Sequence, residues 1–116
     1  MTSRIDRAIL DANCAGDRRM MRELIGMGIE TLGRSIAEIE AGLPGADWQA
    51  IGRTVHRLRP VLSYCGVTGL GEELLGVETS AREGTGLDEL PLKLQSTLEG
   101  LRGVLEELRL ISESLR

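Results

Sequence analysis

His56 is the only histidine in a chain of 116 residues. Of the side chains present, it alone has an unperturbed pKa near neutral pH, so it is the first candidate for nucleophilic or acid–base chemistry. Its setting gives it weight. Leu58 follows two positions on, the cation Arg59 stands at plus three, the helix-perturbing Pro60 at plus four and Gly66 at plus ten. No other pattern competes. There is no Walker-type loop, and Gly84-Thr85-Gly86 is too short to cradle a nucleotide. Cys14 and Cys65 lack metal-site spacing and are expected to be reduced, largely buried thiols. No second base, metal-ligand pair or carboxylate cluster for Mg²⁺ stands beside His56, which argues against a hydrolase or a metal enzyme.

The elements that must position His56 read as helices throughout. Ile5, Ile9 and Leu10 within residues 3–13 predict a short amphipathic helix, stopped at Gly16. Asp17 is the expected N-cap of a second helix from about Arg18 to Ala41, with Met21, Leu24, Ile25, Gly28, Leu32, Ile36 and Ile39 on its apolar face. Glycines in it permit close helix approach, and Met20, Met21 and Met27 read as core filler. Gly42-Leu43-Pro44-Gly45 is a loop, after which Asp47 caps a third helix.

In that third helix Trp48, Ile51, Val55, Leu58 and Leu62 form a regular buried stripe. A 100° step per residue places His56 about 120° from the stripe's centre, facing solvent or a rim. Gln49, Arg53, Pro60 and Ser63 share its side. Pro60 lacks an N–H and crowds the carbonyl of His56, so a kink is expected there. Gly66 reads as the end of this helix and Thr68 as the N-cap of a fourth, lined by Val67, Leu70, Leu74, Val77 and Ala81. Gly84-Thr85-Gly86 breaks it. Asp88 opens the last helix, with Pro91 in its first turn and Leu94, Leu98, Leu101, Leu105, Leu108 and Leu115 along it. Short connections favour antiparallel neighbours. The expected fold is all-α: an up-down antiparallel four-helix bundle with an additional short N-terminal helix.

The residues His56, Leu58, Arg59, Pro60 and Gly66, set in this helical layout, resemble the signature of the histidine phosphotransfer (HPt) domain family. That signature is histidine, any residue, leucine or isoleucine, lysine, then glycine or sometimes proline, with glycine at plus ten. Arg59 departs from the usual lysine, and the chain has no Phe, which these domains commonly have in the core. The resemblance implies that His56 is phosphorylated, at Nε2 as is usual in the family, and that Arg59, helped by Arg53, stabilises the added charge. Arginine offers a bidentate contact where lysine is a point charge. The resemblance also implies a phosphorelay carrier rather than an enzyme. Its partner would be the receiver domain of a response regulator or hybrid histidine kinase. That partner would dock over Gln49, Arg53, His56, Pro60 and Ser63, with apolar side chains from the second helix completing the patch.

Composition sets the remaining bounds. A chain of this length is expected to form one domain over 1–116 with a single core. Hydrophobic residues make up 41% and charged residues 28%, a folded rather than disordered composition. The net charge of -4 and the two aromatics, Trp48 and Tyr64, argue against nucleic-acid binding. No apolar run approaches 18 residues, so no membrane span is expected. A cytoplasmic monomer without cofactor or metal is the resulting expectation. The rival is a helical adaptor, or a degenerate phosphotransfer domain, in which His56 carries no phosphate.

Overall fold

Three aspartates start the first three helices. Asp6 accepts hydrogen bonds from the backbone N–H groups of Ala8 and Ile9, Asp17 from those of Arg19 and Met20, and Asp47 from that of Ala50. They open α1 (Arg7–Asn13), α2 (Arg18–Gly42) and α3 (Trp48–Tyr64). The last two helices, α4 (Gly71–Glu83) and α5 (Leu90–Ser114), start without a side-chain cap. The structure, a computed structural model, describes residues 3–116. Among the described residues there are five helices and no strand, so the fold is all-α.

The long helices form a closed ring. α3 packs on α2 and α4, and α5 closes the ring against α2 and α4. Short α1 lies on α3. The core is aliphatic, as a chain without Phe requires. Ile25, Leu32 and Ile39 from α2 meet Ile51, Val55 and Leu58 from α3, Leu74 and Val77 from α4, and Leu94, Leu98, Leu101 and Leu108 from α5. Cys14 and Cys65 are free and fully buried. A Cβ at Gly28 would sit 2.7 Å from Cys65 Sγ, so only glycine lets α2 come this close to the end of α3. Gly26 and Gly33 have no such neighbour.

The structure corrects four local expectations. α1 begins at Arg7, because residues before it are drawn into backbone pairing with the α3–α4 loop. Ile5 forms an isolated antiparallel bridge with Val67, and the N–H groups of Asp6 and Thr68 donate to Gly66 O and Arg4 O, both at 2.8 Å. Thr68 is therefore engaged by the N-terminal segment and caps nothing, and α4 starts only at Gly71, after fully buried Leu70. Asp88 lies in a turn, since Glu89 N–H donates to Gly86 O and delays α5 to Leu90. Met20 and Met27 are exposed; of the three methionines read as core, only Met21 is buried. α3 runs without a break through Pro60 to Tyr64.

Gly66 is the hinge of this N-terminal docking. Its φ is +80°, and a Cβ there would stand 2.7 Å from Asp6 O and 3.2 Å from Leu10 N. Gly66→Ala is expected to cost roughly 1–3 kcal/mol, through backbone strain and displacement of the segment before α1. Urea unfolding measures this; an unchanged midpoint would show that the segment adds nothing to stability.

Candidate functional site

The stripe of α3 decides where His56 points. Ile51, Val55, Leu58 and Leu62 are all buried, which turns His56 outward with its side chain 65% exposed. One ring atom is nonetheless held. His56 Nδ1 lies 2.8 Å from Oε2 of Glu78, a residue of α4 whose own side chain is only 4% exposed. Gly52 on α3 and Ala81 on α4 face each other at this crossing, and their small size keeps the two helices close enough for the contact.

Glu78 is the centre of a charge cluster. Its Oε1 accepts from Arg59 Nη1 at 3.0 Å, and its Oε2 accepts from Arg82 Nη2 as well as from the imidazole. Burial pushes the Glu78 carboxyl up, but hydrogen bonds to His56 and Arg59 and the charge of Arg82 outweigh it and hold the group below the ordinary carboxylate value. It is thus ionised at neutral pH and can only accept hydrogen bonds. The proton of the contact must therefore sit on Nδ1, and in the neutral ring the lone pair lies on Nε2.

Two grooves flank the imidazole. Gln49, Arg53, Arg57 and Arg82 line one with Trp48 and Gly52. The other, of about 420 Å³, runs from His56 and Arg59 past Pro60 and Ser63 to Leu70 and Leu74. The residues expected around His56 do share its side, but the wall of both grooves comes from α4 and not from α2. Arg59 ends on the carboxylate that also holds the imidazole. Arg57 is paired with Glu38 at 3.3 Å. Arg53 is exposed and makes no ion pair among the described residues.

Glu78 and Arg82 were not evident from the sequence. The available signal was a carboxylate inside an apolar register: Glu78 is buried among Leu74, Val77 and Ala81 on α4. The cysteines stay out of the chemistry. Burial, and secondarily Cys14, pushes the Cys65 thiol up to about 11, so little thiolate exists at neutral pH. Among the described residues no group of three or more potential metal ligands gathers, and no helix is long and apolar enough to cross a membrane.

The ring of helices thus presents one exposed imidazole, held at Nδ1 by a carboxylate of the neighbouring helix. The chain belongs to the Hpt domain family, whose sequence profile matches residues 23–110. Hpt domains are phosphocarrier modules rather than classical enzymes. The fold is shared with the HPT domain of a sensor hybrid histidine kinase from Shewanella, at a TM-score of 0.82 and 17% identity over 95% of this chain and 94% of that one. No curated protein matches the chain.

Proposed function

We propose that residues 1–116 act as one phosphorelay unit in which His56 accepts a phosphoryl group on Nε2 and exchanges it with the aspartate of a receiver domain. The receiver belongs to a response regulator or a hybrid histidine kinase, and the exchange takes place in the cytoplasm between a monomeric carrier and a transient partner. The observation that carries this reading is the exposed His56 of an Hpt-family chain, with its Nδ1 engaged and its Nε2 free.

In the transfer, the Nε2 lone pair attacks the phosphorus of an aspartyl phosphate. The N–P bond forms as the acyl P–O bond breaks, and the aspartate carboxylate leaves with the electron pair. In-line geometry requires the partner to approach closely over His56. Arg53, which has no ion pair among the described residues, is placed to meet the incoming phosphoryl group. Arg59 adds positive potential while staying on Glu78. The four guanidinium groups of Arg53, Arg57, Arg59 and Arg82 make this face basic in a chain of net charge -4, which favours an acidic partner surface.

Gln49, Arg53, Pro60 and Ser63 form the docking border. Pro60 and Ser63 are compact and leave the groove open toward Leu70 and Leu74. The reading is tested by incubating the chain with a panel of phosphorylated receiver domains and following phosphate onto His56. Phosphate on no residue would leave a helical adaptor as the function. Ser63→Arg narrows the test: uptake from a small phosphodonor should match wild type, while transfer with the cognate receiver drops by at least about tenfold, or about 1.4 kcal/mol. Wild-type exchange by that variant would place the docking face elsewhere.

A further inference from the structure

Glu107 is a half-buried carboxylate of α5, far from His56 in sequence and on another helix. Both of its oxygens are given to the segment that precedes α1. Oε2 accepts from Ser3 Oγ at 2.6 Å, and Oε1 accepts from the backbone N–H of Arg4 at 2.9 Å. From this anchor the segment runs to the α3–α4 loop. Arg4 O accepts from Thr68 N–H and Asp6 N–H donates to Gly66 O, both at 2.8 Å, while Ile5 is buried opposite Val67. Gly100 of α5 makes room for both parts: a Cβ there would stand 3.1 Å from Leu70 and 3.6 Å from Arg4 Cζ.

The same loop borders the groove beside His56. Val67, Leu70 and Gly71 line the far part of the space that starts at His56 and Arg59 and passes Pro60 and Ser63. The loop has little structure of its own: Gly66 and Gly69 both have positive φ, and α4 starts without a side-chain cap. Its position must therefore be set from outside. Leu70, buried against α5, fixes one end, and the segment before α1 fixes the other. Resting on the phosphotransfer reading above, we propose that Ser3–Asp6, fastened by Glu107, is a strap that holds the α3–α4 loop in place as the wall of the receiver-docking groove. Glu107 is then a positioning residue for transfer between two proteins, with no part in the chemistry at His56.

Hydrogen bonds to an ionised acceptor are the stronger kind, so the two at Glu107 are the firmest hold on the segment's outer end. Without them the short pairing of Ile5 with Val67 is left to hold itself, and local opening becomes cheaper. Val67 then loses its backing, and the groove loses a fixed wall. A receiver that docks on a mobile loop must order it first, and that cost is taken from its binding free energy. His56 is insulated from the change. It stands within α3, and its ring is held by Glu78 of α4, which the strap does not touch. A small phosphodonor needs the imidazole alone, whereas a receiver needs the groove as well.

The test compares wild type with Glu107→Ala, Glu107→Gln and Ser3→Ala in the full chain. Amide hydrogen exchange of Asp6 and Thr68, whose N–H groups report the pairing, should quicken at least about tenfold in Glu107→Ala, the effect of losing hydrogen bonds to a charged group. Amides within α3 should exchange as in wild type. Uptake of phosphate from phosphoramidate should not change. With a phosphorylated receiver domain that charges wild type, KM should rise about 3–10-fold at nearly constant kcat, the mark of lost docking rather than lost chemistry. Glu107→Gln keeps an oxygen for Arg4 N–H and should recover part of the loss. Ser3→Ala removes one of the two bonds without altering α5 and should show a smaller shift of the same kind, so the proposal stays testable if α5 tolerates no change. Unchanged exchange at Asp6 and Thr68 overturns the anchor. Faster exchange with wild-type KM for the receiver overturns the link to docking, and a parallel fall in phosphoramidate uptake overturns the separation from His56. Wild type that takes phosphate from neither donor overturns the functional reading itself, a result that none of the strap outcomes resembles.

Discussion

His56→Gln is expected to fold as the wild type does and to take up no phosphate from any donor. The two halves of this expectation rest on different facts. Loss of phosphorylation follows from the absence of a second histidine in the chain: glutamine has no nucleophilic nitrogen to offer. Retention of the fold follows from geometry. The His56 side chain is 65% exposed and contributes no surface to the core. The only hydrogen bond at risk is that to Glu78, which keeps Arg59 and Arg82 as partners and so is not left buried and unpaired. The expected change in unfolding free energy is about 1 kcal/mol or less, read from urea melts beside a phosphate-uptake assay. A variant that unfolds would make the histidine a structural residue. A variant that still acquires an acid-labile phosphate would move the reacting group elsewhere.

Much of this could be read from residue order, and the successes and failures have distinct physical origins. α3 was legible because its determinants are local. Asp47 caps it, the apolar positions recur every three or four residues, and the outward face of His56 follows from the helical step alone. The same holds for the start of α2 at Asp17 and the turn at Gly16, where φ is +71°. The misreadings lie where a backbone group finds a distant partner. Thr68 looks like a cap until Arg4, far back in sequence, takes its N–H. Met20 and Met27 follow the period of α2, but its apolar residues exceed what its neighbours cover, and periodicity does not say which edge stays wet. Glu78 was missed for a related reason. A carboxylate 22 residues from the histidine, on another helix, becomes its hydrogen-bond partner only through the crossing of α3 and α4. Periodicity along one helix carries no information about that crossing.

Leu58→Ala should show the opposite profile to His56→Gln: a large loss of stability with the chemistry retained. Leu58 is two residues from His56 but fully buried, on the other side of α3, where it meets the aliphatic side chains of the neighbouring helices. Truncation removes its transfer free energy and leaves a cavity that a closely packed ring of long helices can only partly refill. The expected cost is about 2–5 kcal/mol. For a domain near this size, each kcal/mol lowers Tm by roughly 4–8 °C, so a drop of about 10 °C or more is expected in a thermal melt. A typical domain has about 5–15 kcal/mol to lose, which leaves most of the variant folded at room temperature. There the imidazole, its contact with Glu78 and the rate of phosphorylation by a small donor should stay near wild type, because the deleted methyl groups face away from the site. A loss below about 0.5 kcal/mol would place Leu58 outside the core. Since Leu58 and His56 are fixed to opposite sides of one helix, that result would rotate α3 and remove His56 from the surface to which a partner must dock.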